Sequence, residues 1–165
     1  MILTKEKILE EIKNKRINIT YYNAKNLGPA SYDLTLSNQF RMFKGNENIR
    51  LDENTDYKKY TKLVNGKITL KPGEFILGIT EEKITLPSDI CGWLTGRSRF
   101  ARLGLQIHST AAFLQPGIEN KQVLEIHNLS SNTLELKQGL KLCQIVFDRT
   151  DGKAKYKGKF SRQSL

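Results

Sequence analysis

An all-β fold with one short N-terminal helix is predicted by three features of the sequence. Short stretches of alternating or β-branched apolar residues recur along most of the chain. Turn pairs separate them: Asn65-Gly66, Pro72-Gly73, Pro87-Ser88, Pro116-Gly117 and Gln138-Gly139. Clear helical spacing is confined to the first residues. Many short strands at such spacing indicate a sandwich, barrel or jelly roll.

In chain order, Lys5 to Lys13 reads as a helix capped by Thr4, with Ile8, Leu9 and Ile12 on one apolar face. Ile17 to Ile19 suits a short strand, and Asn26 to Pro29 a turn. Tyr32, Leu34 and Leu36 alternate with Asp33 and Thr35, and Phe40 and Met42 continue the period of two. Lys44 to Lys59 is polar and expected to loop. Further strands are expected at Lys67 to Leu70, Phe75 to Ile79, Lys83 to Leu86 and Cys91 to Leu94. Four more follow, at Gln106 to His108, Gln122 to His127, Thr133 to Leu136 and Leu142 to Phe147. Phe100 to Leu105 has room for one helical turn. Residues 1–148 are expected to form a single β domain, followed by a basic tail at 149–165.

A chain of 165 residues, 38% of them hydrophobic, can bury a core. Its formal net charge of +10 suits a polyanionic partner such as a phosphorylated metabolite, and equally suits solubility alone. Cys91 and Cys143 are far apart and lie in apolar stretches, so buried free thiols are expected and no C-x-x-C site exists. No signal peptide is read at the N-terminus, and the longest uncharged run, Leu103 to Ile118, is too short and polar to span a bilayer. A cytoplasmic protein is expected. The tail carries six Lys or Arg and one Asp, with Tyr156 and Phe160 interleaved. It could order over a polyphosphate or fray into solvent.

Three groups of residues could carry chemistry. Gly96-Arg97-Ser98, with Arg99 and Arg102 close behind, is either a phosphate grip or a solvated basic loop. Neither G-x-x-x-x-G-K-[ST] nor G-x-G-x-x-G is present. His108 and His127 are the only histidines and read as structural, since a metal site needs more ligands. The zinc deaminase signature H-x-E…P-C-x-x-C and the hydrolase elbow G-x-S-x-G are both absent. Glu125 lies between Leu124 and Ile126 and must face away from them. That face is either plain solvent or a cleft in which a carboxylate could move protons.

Several stretches together resemble the dCTP deaminase branch of the trimeric dUTPase superfamily. They are Ser31-Tyr32-Asp33-Leu34, Pro72 to Leu77 leading to Thr80-Glu81, Gly96 to Leu105 and His108 to Ala111. Pro116-Gly117, Leu124 to Asn128, Gln144 to Phe147 and Tyr156 to Gln163 continue the pattern. The resemblance implies a distorted jelly roll, or dUTPase-like β-barrel, and a homotrimer with sites between subunits. It implies conversion of dCTP and water to dUTP and ammonia without zinc, with Mg²⁺ carried by the triphosphate. Nucleic acid and membrane are not implied as partners; dTTP is, as an inhibitor.

By the same resemblance Glu125 is general base and acid, and Ser98 and Arg102 position the water and the carboxylate. Arg97 and Ser98 contact the nucleotide, Thr110 and Ala111 lie against the base, and Val123 joins the binding set. Gln144, Tyr156, Lys159 and Gln163 close over base and phosphates. Arg99 stands where a Ser is usual and adds charge near the phosphates. Asn120 replaces a Gly, tolerable if that position is left-handed. Phe160 replaces a Tyr. Gln115 replaces an Asp that activates water in the dUTPase branch; an amide cannot act as a base there. On that ground dUTP is the expected end product. A dUTPase or bifunctional enzyme giving dUMP is the alternative, and a non-catalytic nucleotide-binding regulator of the same fold is a second.

Overall fold

The computed structural model describes residues 1–45, 47–161 and 163–165. Asn46, in the stretch expected to loop, and Arg162, in the basic tail, lie outside the described residues.

Helix α1 (Lys5–Lys13) opens the chain, and β1 (Asn18–Ile19), β2 (Tyr32–Leu34) and β3 (Leu36–Phe43) follow. Next come α2 (Tyr57–Tyr60), β4 (Thr61–Asn65), β5 (Ile68–Leu70), β6 (Phe75–Thr85) and β7 (Ile90–Gly96). The rest is α3 (Ser98–Ala101), β8 (Leu105–Ile107), β9 (Phe113–Leu114), β10 (Glu119–Asn128), β11 (Leu134–Leu136) and β12 (Cys143–Arg149). One sheet has the order β4-β3-β6-β10-β8, with β1 beside β6. A second runs β2-β12-β7-β9, and β11 pairs with β5. The pairings are antiparallel. One apolar core draws Phe40, Ile76, Ile84, Leu124 and Ile126 from the large sheet and Tyr32, Leu34, Leu94, Ile145 and Phe147 from the small one. The fold is therefore all-β with a short N-terminal helix, as the alternation predicts.

The differences have local causes. The two strands expected around Phe75 and Lys83 are one strand, β6. Its acidic centre stays in the sheet because the Glu82 carboxylate is buried and accepts the Thr35 N–H at 2.9 Å. β4 was not expected; it follows directly on α2, whose start the Asp56 side chain caps by accepting the Lys58 N–H. The helical turn expected at Phe100 to Leu105 lies earlier, as α3. Thr4 has extended backbone at the start of α1, but its side chain caps nothing. The helix buries Ile8 and Glu11 and leaves Leu9 exposed, because Arg16 and Arg149 both reach the Glu11 carboxylate. Cys91 and Cys143 are buried free thiols, and burial pushes the Cys143 thiol pKa far up.

Candidate active site

The site begins with the alternation of β10. Asn120, Gln122, Leu124, Ile126 and Asn128 are buried, so Val123 and Glu125 face the other way. Next to it β8 ends at Ile107, and His108 adopts a left-handed backbone with φ 54°. That conformation is uncommon outside glycine. It turns the chain so that the Ser109 and Thr110 N–H groups both donate to Glu125 Oε2 at 2.8 Å. The Thr110 hydroxyl donates to Oε1 at 2.7 Å. The His108 N–H holds the turn to the Glu125 carbonyl at 2.8 Å.

Burial works to raise the Glu125 pKa. The Thr110 hydroxyl and the two N–H groups outweigh it, and hold the carboxyl below the ordinary glutamate value. Glu125 is therefore ionised at neutral pH. Burial pushes the His108 pKa down in spite of Glu125, so its ring is neutral. Both ring nitrogens of His108 are buried without a hydrogen-bond partner among the described residues.

After this turn the chain crosses to the small sheet, where β9 pairs with Gly92 and Trp93 of β7. A cavity of about 350 Å³ lies along the crossing. Leu94, Leu114, Ile118 and Val123 give it apolar walls. Glu125, His108, Gln115, Asn120 and Gln122 give polar ones, and Ala111 and Phe113 line the crossing. Tyr156, Phe160 and Gln163 of the tail complete it.

The structure thus brings together six of the expected site residues: Glu125, Ala111, Gln115, Val123, Tyr156 and Gln163. Thr110 is bound to Glu125 and is not part of the lining. The basic cluster is elsewhere. Arg97 pairs with Asp33 at 3.0 Å and donates to the Lys141 carbonyl at 3.0 Å. Gln144 accepts from the Ser31 hydroxyl at 2.7 Å. Ser98, Arg99, Arg102 and Lys159 are exposed and outside the lining. Asn120 is not left-handed; it lies in extended β10. His108, Asn120 and Gln122 were not expected in the site. For the two amides the signal is the alternation itself, which puts polar residues in phase with Leu124 and Ile126. Among the described residues no group of three or more His, Cys, Asp and Glu side chains could hold a metal ion.

A family model described as dCTP deaminase-like matches residues 2–150. The chain belongs to the dCTP deaminase family. Among curated relatives, a protein named "dCTP deaminase, dUMP-forming" from Clavibacter michiganensis subsp. michiganensis is 36% identical over 159 residues, covering 94% of this chain and 79% of its own. A protein of the same name from Nocardioides sp. is 34% identical over 174 residues, covering 99% and 91%. The deaminase family also supplies a solved structure. The 2′-deoxycytidine 5′-triphosphate deaminase of Agrobacterium tumefaciens superposes with a TM-score of 0.70 at 18% identity. It covers 88% of this chain, which spans 47% of that protein. A dUTPase of the S. aureus phage phi11 superposes at 0.54 with 14% identity, covering 87% of this chain and 96% of its own. The two structures support the β fold, and the family membership makes the chain an enzyme. The names of the relatives specify dUMP, where the motif resemblance implied dUTP. No helix among the described residues is long and apolar enough to cross a membrane.

Proposed function

We propose that the protein hydrolytically deaminates dCTP, with Glu125 as the group that moves the protons. One observation carries the reading: Glu125 is held ionised on the cavity wall with one acceptor position left over. A carboxylate has about four acceptor sites. Oε2 uses both of its own on Ser109 and Thr110, and Oε1 uses one on the Thr110 hydroxyl. The remaining position on Oε1 takes a proton from water. The hydroxide attacks C4 of the cytosine ring and the proton passes to the ring nitrogen; Glu125 then moves the proton of the new C4 hydroxyl to the amine, and the C4–N bond breaks to release ammonia. C4 keeps the oxygen as a carbonyl, and Glu125 returns to its starting state.

The basic residues then have a place in a trimer. Arg97, Ser98 and Arg102 do not line the cavity of their own chain. In a closed ring they serve the phosphates, the attacking water and the carboxylate of a neighbour's site. Mg²⁺ would accompany the triphosphate as part of the ligand. Its chemistry is to offset phosphate charge. The tail's Tyr156 and Gln163 lie against the nucleotide, Lys159 serves its phosphates, and dTTP competes for the same cavity. The enzyme works in the cytoplasm.

The product is dUTP, because Gln115 gives the cavity an amide where pyrophosphate release would need a base. The second reading, continued hydrolysis to dUMP, is favoured by the names of the relatives. A chromatographic time course with dCTP, with ammonia measured in parallel, tests both. Ammonia with accumulating dUTP supports the first reading. Ammonia with dUMP and pyrophosphate supports the second. No ammonia from dCTP rejects both.

A further inference from the structure

Asn120 sits in β10 on the core-facing side and is 5% exposed. Its amide oxygen accepts from Gln122 Nε2 at 2.7 Å. That bond decides which way the amide points, because the oxygen is taken. The NH₂ group faces the tail and donates to the carbonyls of Phe160 at 2.9 Å and Ser161 at 3.3 Å. Gln163 Nε2 returns a bond to the Lys121 carbonyl at 3.0 Å. Phe160 and Gln163 line the same cavity as Asn120 and Gln122.

Further back the tail's hydrogen bonds to the body are main-chain ones, and the Tyr156 side chain packs against the core. Ala154 N–H donates to the Ser88 carbonyl at 2.8 Å and Tyr156 N–H to the Pro116 carbonyl at 3.0 Å. Gly117, at φ 75°, lets Lys155 lie against it; a Cβ there would meet Lys155 Cγ at 2.8 Å. Any sequence can supply those two backbone bonds. Beyond residue 156 the tail's hydrogen bonds to the body use side chains: Asn120 makes two, Gln163 one, and the Tyr57 hydroxyl donates to the Ser164 carbonyl at 3.2 Å. A glycine at 120, which the motif resemblance calls for, would leave the carbonyls of Phe160 and Ser161 without these donors.

We propose that Asn120 is a positioning residue that latches the C-terminal strap across the cavity of its own chain before a nucleotide arrives. The role of the strap in turnover rests on the deaminase reading of that cavity. A strap ordered in advance is not ordered at the expense of binding energy, so the latch acts on nucleotide affinity.

Two variants test it. Asn120→Asp keeps the acceptor for Gln122 and sets oxygens against the strap carbonyls. Asn120→Ala removes both donors. Hydrogen exchange of the free protein is followed over residues 154–165, with β6 and β10 as the internal check on folding. Both variants should exchange about tenfold faster or more in the strap, with the two strands unchanged. The KM for dCTP should rise about fivefold or more while kcat changes far less, the pattern of lost binding contacts. Unchanged strap exchange overturns the latch. Faster exchange with unchanged KM overturns the positioning role. If the unmodified protein releases no ammonia from dCTP, the deaminase reading fails, and the exchange of the free protein still decides the latch.

Discussion

Glu125 takes all three of its donors from Ser109 and Thr110, in the turn that follows the adjacent strand β8. Arg97 belongs to the same chain and has its guanidinium occupied by Asp33 and the Lys141 carbonyl, away from the cavity. The donors that hold the carboxylate all come from one chain, whereas the basic cluster does not line the cavity of its own chain. A proton-transfer group needs a fixed and partly dry setting, which neighbouring strands supply. A phosphate grip needs several cations together, and these repel one another unless an anion neutralises them.

The largest effect should come from the carboxylate. Glu125→Gln keeps the shape and removes the base, so kcat should fall at least ~100-fold with dCTP affinity nearly intact. Undiminished ammonia release from this variant removes Glu125 from the mechanism.

The second experiment breaks the comparison across chains. Arg97→Ala should flatten the affinity order dCTP, dCMP, deoxycytidine, since charge-assisted phosphate contacts set that order. Refolded together in equal amounts, Glu125→Gln and Arg97→Ala chains should regain about a quarter of the wild-type sites if each site draws on two chains at random. Each parent alone should stay weak. No recovery on mixing, with trimers confirmed by sedimentation at three times 18.9 kDa, places both residues in one chain's site.

A smaller effect belongs to the cradle. Thr110→Val removes the hydroxyl that donates to Oε1 and leaves the two N–H bonds. The Glu125 pKa, held down in the native protein, should then rise. A depressed carboxylate is an active base above its folded pKa and is lost as pH falls through it. The acid limb of kcat/KM should therefore move to higher pH, with a loss of about tenfold or less at neutral pH. The same sign holds for stability: the native contribution of this carboxylate is present above the unfolded pKa and fades as pH falls through the folded one. An acid limb that does not move excludes the Thr110 hydroxyl as the tuning group.

Much of this was legible in the residues, because it depends on local pattern. Period two around Glu125 put it opposite Leu124 and Ile126, and the turn pairs separated most strands correctly. What escaped depends on partners far away in the chain. Glu11 is buried beneath a helix because Arg149, 138 residues on, reaches it. β6 runs unbroken because Thr35 binds Glu82 from 47 residues away. Asn120 stands out in the motif pattern only as a missing glycine, although its phase with Leu124 marks it as a buried amide. The left-handed turn at His108, which aims two N–H groups at Glu125, has no signature in a single sequence.

The least effect on deamination, and the sharpest on product, is expected at Gln115. It lies on the cavity wall, exposed, and an amide there has no usable proton affinity near neutral pH. Pyrophosphate release needs a nucleophilic water beside the α-phosphate, whereas the base proposed for deamination is Glu125. The two steps are therefore separable, and Gln115→Asp should leave ammonia release from dCTP within roughly tenfold of the unmodified protein. The same variant should shift the product from dUTP towards dUMP, since a carboxylate can activate that second water. Chromatography with dCTP and, separately, dUTP as substrate in Mg²⁺ reads both steps. Rapid dUMP formation by the unmodified protein would show that Gln115 does not block the second step. The activation of that water would then have to come from another group at the site, and the dUMP-forming names of the relatives would describe this chain as well.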